Sequence, residues 1–236
     1  MMRAEAVGGG VWHVELQRPE KRNALGMEAY SLLADVLRQI GAMPDARVVV
    51  LSGQGEAFCA GNDLAEFATH WPQPPGGPVV RFLEALHGLA VPVVAAVQGA
   101  AVGIGATMLL HCDLVVAGPG AFLLFPFVDR GITAEGASSL LLPLRLGHAR
   151  AMDLLLTGRR VHADEALKLG LFTQVSRDQP PLAMALGLAR AIAAKPPEAV
   201  AATKRLARQG LSEAVLSRFG HEIEAINGLL AAGVAR

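Results

Sequence analysis

The feature that most constrains the fold is a set of short, mainly apolar segments, each followed by a loop. Residues 47–51 run into Ser52-Gly53-Gln54-Gly55, and residues 91–97 run into a glycine-rich loop over 98–105 that leads into a helical pattern. A third apolar segment spans 113–116. Short segments without polar alternation are typical of strands covered on both faces of a sheet. The sequence therefore predicts an α/β fold with a buried sheet.

The remaining patterns divide the chain into a part that contains strands and a part that does not. Residues 11–16 alternate as a strand does, and residues 171–175 are strand-like. Helical patterns cover 27–40, 79–89, about 105–111, 136–146, 148–156, 163–169, 181–194, 197–208 and 212–230. We therefore expect a core over residues 1–180 and a helical C-terminal region over residues 181–236.

Residues 70–77 contain three prolines and two glycines. This composition predicts a mobile surface loop without secondary structure of its own. We interpret the loop as a candidate active-site flap rather than as a linker between domains.

The balance of charge excludes several classes of partner. Lys and Arg together number 21, as do Asp and Glu, so no overall charge favours nucleic acid or an anionic membrane. The N-terminus leads into glycines rather than an apolar signal segment, and residues 233–236 carry no peroxisomal signal. No apolar run reaches the ~18 residues of a membrane span. We expect a cytoplasmic protein without nucleic-acid or membrane partners.

The two cysteines, Cys59 and Cys112, lack the spacing of a disulfide framework or of a metal site, so we expect no bound metal. The run His111-Cys112-Asp113 invites a metal or triad interpretation. Adjacent side chains point in different directions, however, so a structural role is favoured for this run.

Several nucleotide and hydrolase motifs fail on one residue. Gly103-Ile104-Gly105 begins a dinucleotide motif, but Met108 stands where its third glycine is required. His221-Glu222 begins a zinc-protease motif, but Ala225 stands where the second histidine is required. The chain contains neither a P-loop motif nor the Gly-x-Ser-x-Gly motif of the α/β-hydrolases.

Two loops share a design that suits the binding of an oxyanion. Residues 58–64 and residues 98–105 each follow a predicted strand, contain small residues and lead into a helix. Small residues let a ligand approach the main chain, and the start of a helix leaves N–H groups without acceptors. Two such loops side by side can direct two N–H donors at one oxygen. The alternative is that both are ordinary glycine-rich turns.

The motifs taken together resemble those of the crotonase (enoyl-CoA hydratase/isomerase) family. The similarity extends over Arg18 to Leu25, Phe58 to Leu64, Pro92 to Gly105, Cys112-Asp113-Leu114, Leu155 to Gly158 and Ala163 to Val175. The order and spacing match the family over nearly the whole chain, although the chain ends earlier than most members. The resemblance implies a spiral of ββα units followed by a helical trimerisation region.

By resemblance, the N–H groups of Asn62 and Ile104 form the oxyanion hole, and the ligand is an acyl-CoA thioester. The residues implied to contact it are Arg22, Ala24, Ala60, Gly61, Asp63, Leu64, Gly103, Phe127 and Leu140. Lys21, Arg22 and Lys204 are candidates for the CoA phosphates, although exposed cations are more often simply solvated.

The reaction depends on which carboxylates enter the site. The family's hydratases use two glutamates, whose positions align here with Thr107 and Phe127. A third position, Glu135 in Gly131-Ile132-Thr133-Ala134-Glu135-Gly136, matches the single acid of the Δ3,Δ2-enoyl-CoA isomerases. The alternative for Glu135 is an acid favoured by the dipole at a helix N-terminus.

The resemblance therefore favours an isomerase that converts 3-enoyl-CoA to 2-enoyl-CoA, with Glu135 as proton shuttle. An apolar lining from Phe125, Phe127 and Leu140 is expected to raise the pKa of this acid towards the working pH. The alternatives are an enoyl-CoA hydratase and a catalytically silent acyl-CoA-binding relative. The resemblance implies no cofactor beyond the CoA of the substrate, and a homotrimer or a dimer of trimers.

Overall fold

The computed structural model describes residues 2–234, so the expectations about residues 1, 235 and 236 lie outside the described residues. The strands are β1 (Met2–Ala6), β2 (Val11–Leu16), β3 (Val48–Gly53), β4 (Val93–Val97), β5 (Ala100–Val102), β6 (Leu114–Ala117), β7 (Phe122–Leu124), β8 (Val161–His162) and β9 (Gln174–Val175). The helices are α1 (Met27–Gly41), α2 (Leu64–His70), α3 (Pro78–Gly88), α4 (Ile104–Thr107), α5 (Ser138–Leu146), α6 (His148–Thr157), α7 (Ala163–Lys168), α8 (Pro181–Ala193), α9 (Pro197–Gln209) and α10 (Ser212–Ala231).

The main sheet has six strands in the order β1-β2-β3-β4-β6-β9, parallel except for β1. Alternate residues of β3 face opposite layers: Val48 and Val50 belong to a cluster with Ala185 and Ala189 of α8, whereas Val49 lies in the core with α1 and α3. Since both faces are covered, every residue of β3 and β4 is buried. The predicted buried sheet is confirmed.

A second, three-stranded sheet has the order β5-β7-β8. The chain alternates between the two sheets, because β4 and β6 belong to the first, and β5 and β7, which follow them, belong to the second. A helix follows each pair of strands. This repeated strand–strand–helix arrangement is the spiral that the family resemblance implied.

The sequence patterns did not predict every element. The strands β5, β7 and β8 have two or three residues each, too few to show a periodicity. The strand β1 is an edge strand with no fully buried residue, so it carries no apolar pattern. The predicted helix up to residue 111 ends at Thr107 and continues as a 3-10 turn over Met108–His111.

The helices after residue 180 pack against the preceding part of the chain. The helix α8 covers one face of the main sheet, and α10 packs against α5 and α3. Among the helices within residues 2–234, none has the length and apolar character needed to cross a membrane.

The proline-rich loop after α2 is anchored, which differs from the predicted mobile flap. The side chains of Trp71 and Gln73 are buried. The backbone N–H of Gln73 donates to Oδ1 of Asn227 over 3.0 Å, and Nδ2 of Asn227 donates to the carbonyl of Gln73 over 2.7 Å. The loop is thereby attached to α10.

Candidate active site

The two glycine-containing loops lie side by side, as the sequence predicted. The N–H of Cys59 donates to the carbonyl of Ala100 over 3.1 Å, and the N–H of Val102 donates to the carbonyl of Cys59 over 2.9 Å. Gly61 has φ +99°, and a Cβ at this position would lie 3.0 Å from the carbonyl oxygen of Val102. Glycine is therefore required here for both the backbone conformation and the close approach of the loops.

The N–H group of Asn62 is directed away from its neighbouring strand segment. Leu25 forms a parallel bridge with Asn62, in which Leu25 donates to the carbonyl of Gly61 over 2.8 Å and accepts from Asp63 over 2.8 Å. Both hydrogen bonds of the bridge are therefore formed by the neighbours of Asn62, Gly61 and Asp63. Its own N–H donates to no backbone oxygen within residues 2–234 and is available to a ligand.

The N–H group of Ile104 is left without a backbone acceptor in a different way. Ile104 is the first residue of α4, and the N–H of a first helical residue has no acceptor within its helix. The carbonyl of the preceding Gly103 accepts from Ala106 and Thr107, which fixes the start of this helical turn. A Cβ at Gly103 would lie 4.0 Å from the Cα of Gly61, so the two N–H donors belong to backbone segments in close contact.

A cavity of about 110 Å³ lies at these two loops. It includes seven of the predicted site residues, namely Ala60, Gly61, Asn62, Leu64, Gly103, Phe127 and Glu135. The remaining lining residues were not predicted, namely Phe67, Val102, Pro126, Arg130 and Ile132. They lie next to the recognised motifs, but no motif distinguishes the side chains that enter the cavity from those that enter the core.

Glu135 is the buried acid of this cavity. The residue is 2% exposed, and its Oε1 has no hydrogen-bond partner among the described residues. A Cβ at Gly103 would lie 3.9 Å from this oxygen. The helix α5 begins three residues later, at Ser138, so Glu135 is not an exposed acid in the first turn of a helix.

The surroundings of Glu135 raise the pKa of its carboxyl group to about 8. Burial is the main cause, and the nearby carboxylate of Glu222 adds to it, while the nearby Asn62 side chain and Ile104 N–H lower the pKa. An acid with such a pKa exchanges protons readily near neutral pH.

Tyr30 is a further residue of the site that the sequence did not reveal. Its hydroxyl donates to Oδ1 of Asn62 over 2.5 Å. Burial, with Glu135 and Cys59 nearby, raises the pKa of Tyr30 well above its usual value, so the hydroxyl stays protonated and remains a donor. This bond orients the Asn62 amide. The position of Tyr30 on the buried face of α1 made it indistinguishable from a core residue in the sequence.

The two positions that align with the hydratase glutamates carry no carboxylate. Thr107 is buried, and its Oγ1 lies 3.5 Å from the carbonyl of Ile104. Phe127 is also buried and lines the cavity. Glu135 is the only acidic residue among those that line the cavity within residues 2–234.

Other predicted contact residues lie outside the cavity. Arg22 is exposed, and its carbonyl accepts from Ala60 over 2.9 Å, whereas Ala24 is buried beside it. Asp63 caps α2 through the N–H of Ala65. Its carboxylate also pairs with Arg18 over 2.8 Å. These residues shape the loop that carries Asn62.

The expected apolar lining of Glu135 is only partly correct. Phe125 lies in the core and the partly buried Leu140 packs against it, so Phe127 alone of the three predicted side chains lines the cavity. Phe125, directly after β7, is fully buried. The burial of Glu135 therefore comes mainly from other residues.

The suggestion that Lys204 meets a CoA phosphate is wrong. Its ammonium group donates to the carbonyl of Val91 and to Oδ2 of Asp113, each over 2.7 Å, and the residue is buried. Asp113 also pairs with Arg208 over 2.7 Å. The favoured structural role of the run His111-Cys112-Asp113 agrees with these contacts.

Comparison with known proteins finds relatives that are named as enoyl-CoA hydratases or isomerases. A family model described as enoyl-CoA hydratase/isomerase matches residues 6–228. The probable enoyl-CoA hydratase echA6 of Mycobacterium bovis is 36% identical over 195 residues, which cover 82% of this chain and 76% of that protein. The mitochondrial Delta(3,5)-Delta(2,4)-dienoyl-CoA isomerase of Rattus norvegicus is 35% identical over 210 residues, 82% of this chain and 64% of that protein.

Solved structures agree with these relatives. An enoyl-CoA hydratase/isomerase from Pseudoalteromonas atlantica T6c matches with a TM-score of 0.92 and 40% identity, over 98% of this chain and 91% of that chain. OdaA from Pseudomonas aeruginosa matches with a TM-score of 0.93 and 39% identity, over 97% of this chain and 93% of that chain. With the spiral fold and the paired loops, these matches establish that the chain belongs to the enoyl-CoA hydratase/isomerase family of the crotonase superfamily.

Proposed function

We propose that the chain is an enoyl-CoA isomerase that converts 3-enoyl-CoA to 2-enoyl-CoA. The observation that carries the proposal is the buried carboxyl group of Glu135, the one acid that lines the cavity within residues 2–234, close to Asn62 and to the N–H of Ile104. The family resemblance implies that addition of water uses two glutamates, and Thr107 and Phe127 occupy those positions here. A double-bond shift needs only one group that takes and returns a proton.

The proposed reaction has two proton transfers. The thioester oxygen accepts hydrogen bonds from Asn62 N–H and Ile104 N–H, which makes the C2 hydrogen more acidic. The carboxylate of Glu135 takes the C2 proton, and the electron pair moves into a dienolate whose oxygen is held by the two donors. Glu135 then returns the proton to C4, which leaves the double bond between C2 and C3. Each donor of an oxyanion hole typically contributes about 3 kcal/mol.

The environment of Glu135 suits this exchange. Proton transfer is fastest when the pKa of the acid lies near the operating pH, and burial brings the pKa of Glu135 to about 8. The bond from Tyr30 to Asn62 fixes the amide that faces Glu135.

The proposed ligand is an acyl-CoA thioester. The reaction uses no cofactor besides the CoA of its substrate, since a double-bond shift neither oxidises nor reduces the substrate. We also propose that the chain acts in the cytoplasm as a homotrimer or a dimer of trimers. A sedimentation measurement on the purified protein tests the assembly directly.

The proposed activity is tested by incubating the purified protein with 3-enoyl-CoA, 3,5-dienoyl-CoA and 2-enoyl-CoA. We expect conversion of 3-enoyl-CoA to the conjugated thioester, followed by ultraviolet absorbance. With a substrate deuterated at C2, we expect part of the deuterium at C4 of the product. Chain-length variants of the substrate serve as the internal comparison.

The outcomes distinguish the alternatives. Rapid hydration of 2-enoyl-CoA, the activity implied by the name of the M. bovis relative, would replace the isomerase proposal with a hydratase. Turnover confined to the dienoyl substrate would assign a reaction like that in the name of the rat relative. Binding of every thioester without turnover would indicate a catalytically silent relative.

The raised pKa of Glu135 gives a directional prediction for the pH profile. Only the ionised carboxyl group of the free enzyme accepts the C2 proton, so kcat/KM is expected to rise about tenfold per pH unit at low pH. The rise should level off near pH 8, where Glu135 is ionised. Measurement of kcat/KM from about pH 6 to about pH 9 tests this. A profile that is flat over this range would exclude Glu135 as a base with a raised pKa.

A further inference from the structure

A second buried carboxylate lies behind the active-site acid and has no place in the reaction described above. Glu222, on α10, is 4% exposed. Its Oε2 accepts from the N–H of Ala137 over 2.6 Å, and its Oε1 accepts from the N–H of Ser139 over 3.0 Å and from the Ser139 hydroxyl over 2.5 Å. By accepting these three hydrogen bonds, the buried carboxylate attaches α10 to the start of α5.

The segment that Glu222 holds is the turn directly after Glu135. Gly136 has φ +68° and Ala137 has φ +55°, so a glycine and an alanine both adopt the left-handed conformation. That conformation is costly for a residue with a side chain, and it persists only where the surroundings enforce it. The bond from Ala137 N–H to Glu222 supplies such an enforcing contact.

The other side of this turn is held by His111. Its Nε2 bonds the carbonyl of Gly136 over 2.8 Å. Within the turn, the N–H and the hydroxyl of Ser138 both donate to the carbonyl of Glu135, over 3.2 and 2.7 Å. The backbone of Glu135 is therefore fixed from behind by contacts from α10 and from the 3-10 turn, which join residues 85 and 25 apart in the sequence.

We infer that Glu222 is a positioning residue for the proton shuttle: by clamping residues 137–139 it sets the direction in which the Glu135 carboxylate enters the cavity. The inference rests on the proposed function, because it assigns Glu222 a role in the transfer performed by Glu135. It also makes the docking of α10 a condition for a correctly oriented acid.

The charge of Glu222 adds a second effect on the same acid. The charged groups that face it are Arg218 on its own helix, whose Nη1 lies 3.4 Å from the Ser139 hydroxyl, and Glu135. His111 is neutral there, because burial lowers its pKa to about 3. Burial raises the pKa of Glu222 to about 7, opposed by Ser139, Ala137 and Arg218. Its negative charge in turn raises the pKa of Glu135.

The substitution Glu222→Gln separates these effects from ordinary stability. Glutamine keeps the size of the side chain and one acceptor oxygen, but its amide group opposes one of the three donors. We expect kcat on 3-enoyl-CoA to fall by about tenfold to a hundredfold with KM nearly unchanged, as a displaced catalytic group produces. Because a like charge is removed, the pKa of Glu135 should fall, and the rising limb of the pH profile should move to lower pH.

The matched control is Glu224→Gln, which removes an exposed carboxylate from the same helix. It should leave kcat, KM and the pH profile as in the wild type. Ser139→Ala serves as the milder test if Glu222→Gln does not fold, because it removes one donor to Glu222 and keeps the carboxyl group. It should lower kcat less than Glu222→Gln does, again with KM nearly unchanged.

The readout that does not depend on activity is the titration of Glu135 by NMR in protein labelled with carbon-13 at the glutamate carboxyl groups, assigned with Glu135→Gln. A lower pKa of Glu135 in Glu222→Gln supports the inference even if the wild type leaves 3-enoyl-CoA unchanged, which would overturn the proposed function alone. A lower melting temperature with unaltered kcat, pH limb and Glu135 titration would overturn the inference and leave Glu222 a structural residue only.

Discussion

Replacing Glu135 by glutamine is expected to lower kcat on 3-enoyl-CoA by about 10²- to 10⁴-fold, the usual contribution of a general acid–base group. Glutamine has nearly the same shape and cannot take up the C2 proton, whereas the N–H groups of Asn62 and Ile104 are unchanged. The affinity for a 2-enoyl-CoA product should therefore stay close to that of the wild type. Steady-state kinetics and a binding titration measure the two quantities separately.

Stability provides the control for this substitution. Because the pKa of Glu135 is raised in the folded state from 4.5 to about 8, stability falls as the pH rises from about 4.5 to about 8, and above that the loss is complete. The glutamine variant should therefore melt no lower than the wild type at that pH. Glu84→Gln, which changes an exposed carboxylate on α3, should retain full activity. Full activity of the Glu135→Gln protein would instead remove this residue from the mechanism.

Removing one oxyanion donor is expected to have the second-largest effect. In Ile104→Pro the backbone N–H is lost, and the expected decrease in kcat is about 10²- to 10³-fold. Proline is well tolerated at the first position of a helix, which Ile104 occupies. Gly103 precedes it with φ 54° and ψ −122°, a mirror-extended conformation that a residue without a Cβ adopts freely.

The control is Ile104→Ala, which keeps the N–H and removes more of the buried side chain than proline does. Both variants create a core defect, so melting temperatures should fall together, whereas only the proline variant should lose the additional kcat. Equal kcat values for the two variants would show that the Ile104 N–H does not hold the oxyanion, and the loss would then belong to packing.

Local sequence patterns predicted the sheet and most helices because an apolar run marks each buried strand and a helical repeat of apolar residues marks each helix. The strand β3 is buried on both faces, and its first four residues are all apolar. A segment of a few residues therefore suffices to identify it. The helix α1 was predicted to within a residue for the same reason. The loops with Gly61 and Gly103 were recognisable because close backbone approach requires glycine.

The contacts that orient the acid were not predictable in this way. Tyr30 and Glu222 act on Asn62 and on the turn after Glu135 from segments 32 and about 85 residues distant in the chain. No local pattern distinguishes such residues from an ordinary core tyrosine or a helix acid. The suggested role of Lys204 was wrong because its partner Asp113 lies 91 residues away.

The sequence alone determined the family, the buried sheet, the two glycine-containing loops and the single acid at position 135. These features depend on backbone conformation and on short-range patterns, which are written into neighbouring residues. Only the tertiary structure decided that Glu135 is buried beside Gly103, that Phe125 lies in the core, and that Glu222 contacts the turn after the acid. Burial, and with it the pKa of a carboxyl group, depends on which distant segments pack around it.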